Sequence, residues 1–387
     1  MKLAIVQYSS NFGGSTLSGQ MIASGMLGHD WDVQMCFGFD GPFVASMQEA
    51  NCSTHVVPHN NWLRTPGILH FIRNFLAELH ASADFESEFR RLKPDVVYVN
   101  TIVSYAAVKA ASRLGIPVVW HIREMFSDEH GEMSWPANYL KGPIRKHMAK
   151  LATKIVVNSS AVAANVFGSS DNYEVENIPN AVFHDFFKSR GNKVDCQNNL
   201  MLPNGVPLVG LPGTLRPVKG HSIFLKAIPL IIDEIPNCHF AITGAIDSDF
   251  ARSLVETAEL APYAGRVIFT GEINDMLSFY HACDVCCVPS ISEPFGRTAV
   301  ECFATRTPLV ATAVGGLNDI VRHDDNALVV PVADENALAK SIVSLLQDNS
   351  HAKDMVDQAF ADAEKYYTED VYVKRIAAVI DQAIAGD

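Results

Sequence analysis

Asp284-Val285-Cys286-Cys287-Val288-Pro289-Ser290-Ile291-Ser292-Glu293-Pro294-Phe295-Gly296-Arg297-Thr298-Ala299-Val300-Glu301 reads as a buried strand, a turn and the start of a helix. The apolar run 285–288 is the pattern of a strand covered on both faces. Pro294-Phe295-Gly296 breaks the run, and helical spacing follows over 297–304. At such a junction the first N–H groups of the helix have no partner within it, and they attract an anion placed beyond the strand. Glu293 and Glu301 flank the turn and add two carboxylates, which suit hydroxyl groups. A ligand carrying both phosphates and hydroxyls fits the combination; a nucleotide sugar has that chemistry.

The same alternation extends in both directions. Strands are predicted over 3–7, 32–37, 55–58, 96–100, 117–121 and 154–158, then over 208–212, 239–243, 267–270, 284–289, 309–312 and 327–331, with helical patterns between. Strands apolar on both faces and separated by helices predict an α/β chain of two Rossmann-like, doubly wound parallel-sheet domains. The polar stretch 188–203, rich in turn formers, is the expected linker between domains 1–187 and 200–365. A last helix within 366–387 is expected to pack back on the first domain.

Composition narrows the classes. A formal net charge of −13 disfavours broad nucleic-acid binding and strong attraction to an anionic membrane. The start of the chain runs into a strand pattern without a signal-peptide core, and no window is apolar enough to span a bilayer, so a cytoplasmic protein is expected. Cys283, Cys286 and Cys287 beside His281 raise a metal reading, but 286 and 287 sit inside an apolar strand, where Cys behaves as a small hydrophobe; no metal site is expected. In 64–93, Ile68, Ile72, Phe75, Leu76 and Leu79 form one stripe and Phe85, Phe89 and Leu92 another, with Arg64, Arg73, Arg90, Arg91 and Lys93 around them. A peripheral helix at the inner membrane face is one reading. Glu78, Asp84, Glu86 and Glu88 dilute the positive charge, which favours core packing.

Three further segments carry candidate chemistry. Gly13-Gly14 follows the first strand and lets a backbone approach an anion, without G-x-G-x-x-G or a P-loop lysine. Leu211-Pro212-Gly213-Thr214-Leu215-Arg216-Pro217-Val218-Lys219-Gly220-His221 places two cations after a strand, where they can neutralise a diphosphate. His121 closes the strand Val118-Val119-Trp120-His121, with Arg123 and Glu124 just beyond.

The succession of 213–221, Glu293-Pro294-Phe295-Gly296 with Glu301, and Pro308-Leu309-Val310-Ala311-Thr312-Ala313-Val314-Gly315-Gly316 closely resembles the GT-B retaining glycosyltransferases of family 4 (glycosyl transferases group 1). Ile178-Pro179-Asn180-Ala181-Val182 resembles the family's hinge, with Ala181 for the usual Gly. Asn326-Ala327 replaces a usual Asn-Gly, and Arg297 stands where an aliphatic residue is common.

The resemblance implies transfer of a sugar from a nucleoside diphosphate sugar, UDP- or GDP-linked, held between two domains that close around it, to a sugar, lipid-linked or small-molecule acceptor in polysaccharide, glycolipid or glycoconjugate synthesis. It implies that Arg216 and Lys219 bind and stabilise the leaving diphosphate, with no metal or other cofactor required. Glu293 and His121 would act at the sugar, Phe295, Gly296, Arg297 and Thr298 would offer donor contacts, Glu301 would hold the ribose, and Gly13 and Gly14 would make room for the sugar-phosphate end. Arg123 and Glu124 would shape the acceptor side. Alternative readings are a nucleotide-sugar epimerase or phosphorylase of similar build, a two-domain dehydrogenase, which the missing glycine fingerprint opposes, and a non-catalytic nucleotide-sugar-binding subunit.

Overall fold

The structure is a computed structural model that describes residues 1–29, 31–63, 68–126, 138–168, 173–188 and 191–386, and the side chains among them except those of 68–71, 138, 139, 349 and 351. Arg64, Ser189 and Arg190, and the side chain of Ile68, lie outside that description. The chain divides into two compact units, Met1–Asn180 with Glu369–Asp387, and Ala181–Thr368. The division falls at Asn180, ahead of the polar stretch 188–203, so residues 181–187 go with the second unit.

The first unit is built on seven strands: β1 Lys2–Gln7, β2 Asp32–Phe37, β3 Ser53–Val56, β4 Val96–Val99, β5 Val118–Ile122, β6 Lys154–Val157 and β7 Val175–Asn177. They lie in the order β3-β2-β1-β4-β5-β6-β7, and every pairing is parallel. The chain starts at β1, runs to one edge, then returns through β4 to the other, so the winding reverses between β1 and β4. The central strands β4 and β5 are buried at every residue, as their continuous apolar runs demand. β7, with the sequence Val-Glu-Asn, has no such run and sits at the edge.

Ile68–Leu92 is one helix packed beside the helix Tyr105–Arg113. Phe85, Phe89 and Leu92 enter the core, whereas Ile72 and Leu76 are exposed. Arg90 and Arg91 pair with Glu86 and Glu88. Glu78 is no surface counter-charge. It is fully buried and accepts the Asn60 N–H at 2.7 Å and the Ala106 N–H at 3.1 Å, the latter from the first turn of Tyr105–Arg113. Burial pushes its carboxyl up to about 7, against these two bonds, which pull it down. No described helix is long and apolar enough to cross a membrane. The last helix, Glu369–Ala385, belongs to the first unit and packs on the helix Gly14–Leu27.

The second unit holds β8 Leu208–Leu211, β9 His239–Thr243, β10 Val267–Gly271, β11 Val285–Val288, β12 Leu309–Thr312 and β13 Leu328–Val330, in the parallel order β10-β9-β8-β11-β12-β13. Its winding reverses between β8 and β11. In open α/β sheets, the crevice outside the strand carboxyl ends at such a reversal is where ligands bind. Cys286 and Cys287 are fully buried in β11, and all eight cysteines are buried free thiols.

Candidate functional site

The reversal in the second unit brings the sequence-predicted groups together. The loop after β8 carries Gly213, Arg216 and Lys219; the loop after β11 carries Glu293. Lys219 Nζ donates to Glu293 Oε2 at 2.6 Å, with Lys219 a quarter exposed and Glu293 nearly buried. Ser290 Oγ lies 3.4 Å from the same oxygen. The two loops are also tied by backbone: Ile291 N–H donates to Val218 O at 2.7 Å. Gly220, in the left-handed region with φ 76°, lets the first loop pass the second, since a Cβ there would fall 2.0 Å from Pro289 O. His221 is fully buried and its Nδ1 faces Arg216 O at 3.3 Å, which anchors the Arg216 backbone; burial first, then the Lys219 charge, press its ring down to about 4.

The Pro-Phe-Gly turn is supported from a third loop. Gly316 N–H donates to Glu293 O at 2.8 Å, and Thr312 Oγ1 donates to Ser290 O at 2.6 Å. Gly296, with φ 109°, caps the helix Arg297–Ala304. Phe295 is buried edge-on to Tyr367. Arg297 and Thr298 open the first turn, whose N–H groups find no partner inside a helix.

Glu301 is buried with both oxygens engaged. Arg297 Nε donates to Oε1 at 2.7 Å and Tyr280 Oη donates to Oε2 at 2.6 Å. The Arg297 guanidinium also lies over the Phe183 ring, and its Nη1 is buried without a hydrogen-bond partner. The carboxylate next to Tyr280, together with the stronger effect of burial, holds that phenol well above its usual range. Tyr280 and Ser290 were not singled out from the sequence; nothing in their local pattern separates them from ordinary helix and loop residues.

In the first unit the reversal between β1 and β4 carries Gly13 and Gly14 in the loop after β1. Asn100, just past β4, donates to Gln7 Oε1 at 2.6 Å and to Ser15 O at 2.8 Å, joining the two sides. Gly13 has extended backbone, and an added Cβ at Gly14 would meet nothing within 4 Å. Neither backbone angle nor packing within the protein requires glycine here. His121, on the neighbouring β5, is fully buried; burial first and the Arg123 charge second hold its ring well below the usual imidazole range. Arg123 is buried. It turns inward and binds Asn100, Asn180, Tyr372 and His121, while Glu124 accepts from Thr101 Oγ1 at 2.6 Å and the Ile102 N–H at 3.0 Å. Among the described residues no group of three or more His, Cys, Asp or Glu side chains is placed to hold a metal ion.

Two doubly wound parallel-sheet units, the second with cations and carboxylates at its winding reversal, define a GT-B glycosyltransferase fold. The chain belongs to the glycosyl transferases group 1: that family's description matches residues 197–362, and "Glycosyl transferase 4-like domain" matches residues 13–181. It is 29% identical over 229 residues to the D-inositol 3-phosphate glycosyltransferase of Corynebacterium urealyticum, covering 56% of this chain and 54% of that one. It is 25% identical over 200 residues to the lipopolysaccharide core biosynthesis mannosyltransferase LpsB of Rhizobium meliloti, covering 50% and 57%. The chain thus spans about half the length of the curated relatives it matches. Among solved structures, Anabaena Alr3699/HepE in complex with UDP and glucose superposes with a TM-score of 0.83 at 21% identity, over 99% of this chain and 100% of that one.

Proposed function

We propose that this protein is a retaining glycosyltransferase that moves a sugar from a nucleoside diphosphate sugar to a sugar, lipid-linked or small-molecule acceptor. The observation that carries the proposal is the Lys219–Glu293 pair, formed by two loops at the strand carboxyl ends on either side of the β8/β11 reversal. An ammonium has three donors. Lys219 can therefore keep Glu293 oriented toward sugar hydroxyls and still donate to a phosphate. Arg216 supplies a second, forked cation on the same loop. Together they stabilise the charge that develops on the leaving diphosphate, so the step requires no metal.

The first-turn N–H groups of Arg297 and Thr298, at the Phe295-Gly296 turn, add a helix N-terminus to the phosphate contacts. Glu301, fixed by Arg297 and Tyr280, keeps unused lone pairs for ribose hydroxyls. In the first unit, Gly13 and Gly14 leave open the space a phosphate or sugar would fill, and His121 serves the sugar. UDP is the first nucleotide to test, supported by the UDP complex of the Anabaena protein.

The deciding experiment is a calorimetric panel of UDP, GDP, NAD and their sugars, followed by product analysis with labelled donor. Binding of a nucleoside diphosphate with transfer to an acceptor, in the presence of a chelator, is expected. NAD binding alone, conversion of the donor without transfer, or loss of turnover on chelation would each count against the proposal.

A further inference from the structure

We infer that His121 acts only as a hydrogen-bond donor, through Nε2–H, and that Tyr98, Arg123 and Tyr372 are the positioning residues that set this tautomer. The inference rests on the role proposed above for His121. Its Nδ1 faces Tyr98 Oη at 2.5 Å and Arg123 Nη2 at 3.2 Å. A guanidinium has donors and no acceptor, so the Arg123 contact requires a lone pair on Nδ1. A proton there would point N–H against N–H. The tyrosine hydroxyl must then donate as well, and the one proton of the neutral ring lies on Nε2.

That nitrogen is itself buried with no hydrogen-bond partner, so its N–H is the ring's available group. A ring with its lone pair engaged on Nδ1 has none to spare as a base. What it offers is a neutral donor to a ligand oxygen, a hydroxyl or a phosphate oxygen, in surroundings where such a bond is strengthened by exclusion of water.

The guanidinium is held in place around this contact. Arg123 Nε donates to Asn100 Oδ1 at 2.7 Å, Nη1 to Asn180 Oδ1, and Nη2 to Tyr372 Oη at 2.5 Å as well as to His121. Each partner comes from a different part of the first unit: the end of β4, the end of the 1–180 segment and the last helix. Tyr372 is 249 residues from Arg123 in sequence. The last helix therefore reaches the histidine through one hydroxyl and one guanidinium.

The test is nitrogen-15 spectroscopy of the full chain labelled at histidine, with His121 assigned by His121→Gln. A bare Nδ1 and a protonated Nε2 are expected near neutral pH, with a mixture of tautomers in Arg123→Met. A protonated Nδ1 or an imidazolium in the wild-type chain overturns the inference. Tyr98→Phe and Tyr372→Phe keep the packing and remove only the hydroxyls; folding is checked by thermal unfolding. Each should lower kcat roughly ten- to a hundred-fold while leaving UDP affinity unchanged. A wild-type kcat in Tyr98→Phe also overturns it. If no nucleoside diphosphate sugar is turned over, the proposed function fails, and the tautomer is still decided by the spectrum.

Discussion

Lys219 Nζ and Glu293 Oε2, 2.6 Å apart, join the two loops on either side of the winding reversal in the second unit. The proposed function places the pair at the leaving phosphate and the sugar, so removing one partner tests catalysis and loop integrity together. Lys219→Ala is expected to lower kcat roughly 10²–10³-fold, the loss typical when one preorganised donor to a developing charge is removed. It should also cost about 1–3 kcal/mol of stability, because Glu293 keeps its nearly buried position with one partner fewer. Lys219→Arg should restore stability more than kcat, since a planar fork does not reproduce a point charge. Donor turnover and urea unfolding separate the two effects; an Ala variant at wild-type kcat would remove Lys219 from the reaction.

Two glycines give a contrasting pair. A Cβ on Gly316 would fall 2.5 Å from Pro294 O, 2.6 Å from Phe295 Cα and 2.7 Å from Phe295 O, all backbone atoms. Gly316→Ala must push the Pro-Phe-Gly turn and should cost about 1–3 kcal/mol together with weaker UDP binding. Gly14→Ala meets no protein atom within 4 Å. It should leave stability unchanged or raise it by under about 1 kcal/mol, and still impair turnover. Calorimetry of UDP binding and thermal unfolding of both variants provide the comparison. Wild-type turnover in Gly14→Ala would show that no ligand approaches that loop.

Arg297, read from sequence as a departure from the family pattern, is paired with Glu301, the proposed ribose ligand. Arg297→Leu should leave Glu301 held by Tyr280 alone and raise the Kd for UDP roughly five- to twenty-fold, with Arg297→Lys in between. If Arg297 works only by orienting Glu301, the same change in a Glu301→Gln background should have no further effect. A residual loss there would mean that the buried Nη1 touches the nucleotide itself. An unchanged Kd in both single variants would exclude this end of the site from nucleotide binding.

The strands that sequence located to the residue, Asp32–Phe37, His239–Thr243 and Leu309–Thr312, are apolar runs between abrupt turn signals. Ser53–Val56 was displaced by two residues because its sequence, Ser-Thr-His-Val, has little apolar contrast. Val175–Asn177 was missed because a three-residue edge strand needs little burial. Arg216, Lys219 and Glu293 were legible because strand-end loops can be placed once strands are placed. Tyr280, Ser290, Tyr98 and Tyr372 were not, since what gives them a role is a partner fixed by the fold rather than a neighbour in sequence. Glu78 was misread for the same reason. On a helix with other acids it looks solvated, and only the loop and helix packed on it reveal two N–H groups converging on a buried carboxylate.

That carboxylate should leave a mark on stability against pH. Its unfolded value of 4.5 rises to about 7 in the fold, with burial as the main cause. Between those values the folded chain keeps a proton that the unfolded chain has released. The contribution to stability is full below 4.5 and is lost as pH rises through about 7, on the order of 3 kcal/mol in all. His59 works in the opposite sense. Burial lowers it from 6.5 to about 4, so its contribution is present above 6.5 and lost as pH falls through 4; His221 behaves likewise. The windows overlap below 6.5, so of these three groups Glu78 is the one that acts in the interval from there to just above 7. Urea midpoints of the wild-type chain should fall across that interval. Glu78→Gln has no proton to lose and sets its amide nitrogen against one of the two N–H groups, so it should start less stable at low pH and close the gap as pH rises. Parallel profiles for the two proteins would mean that Glu78 titrates alike in the folded and unfolded chain.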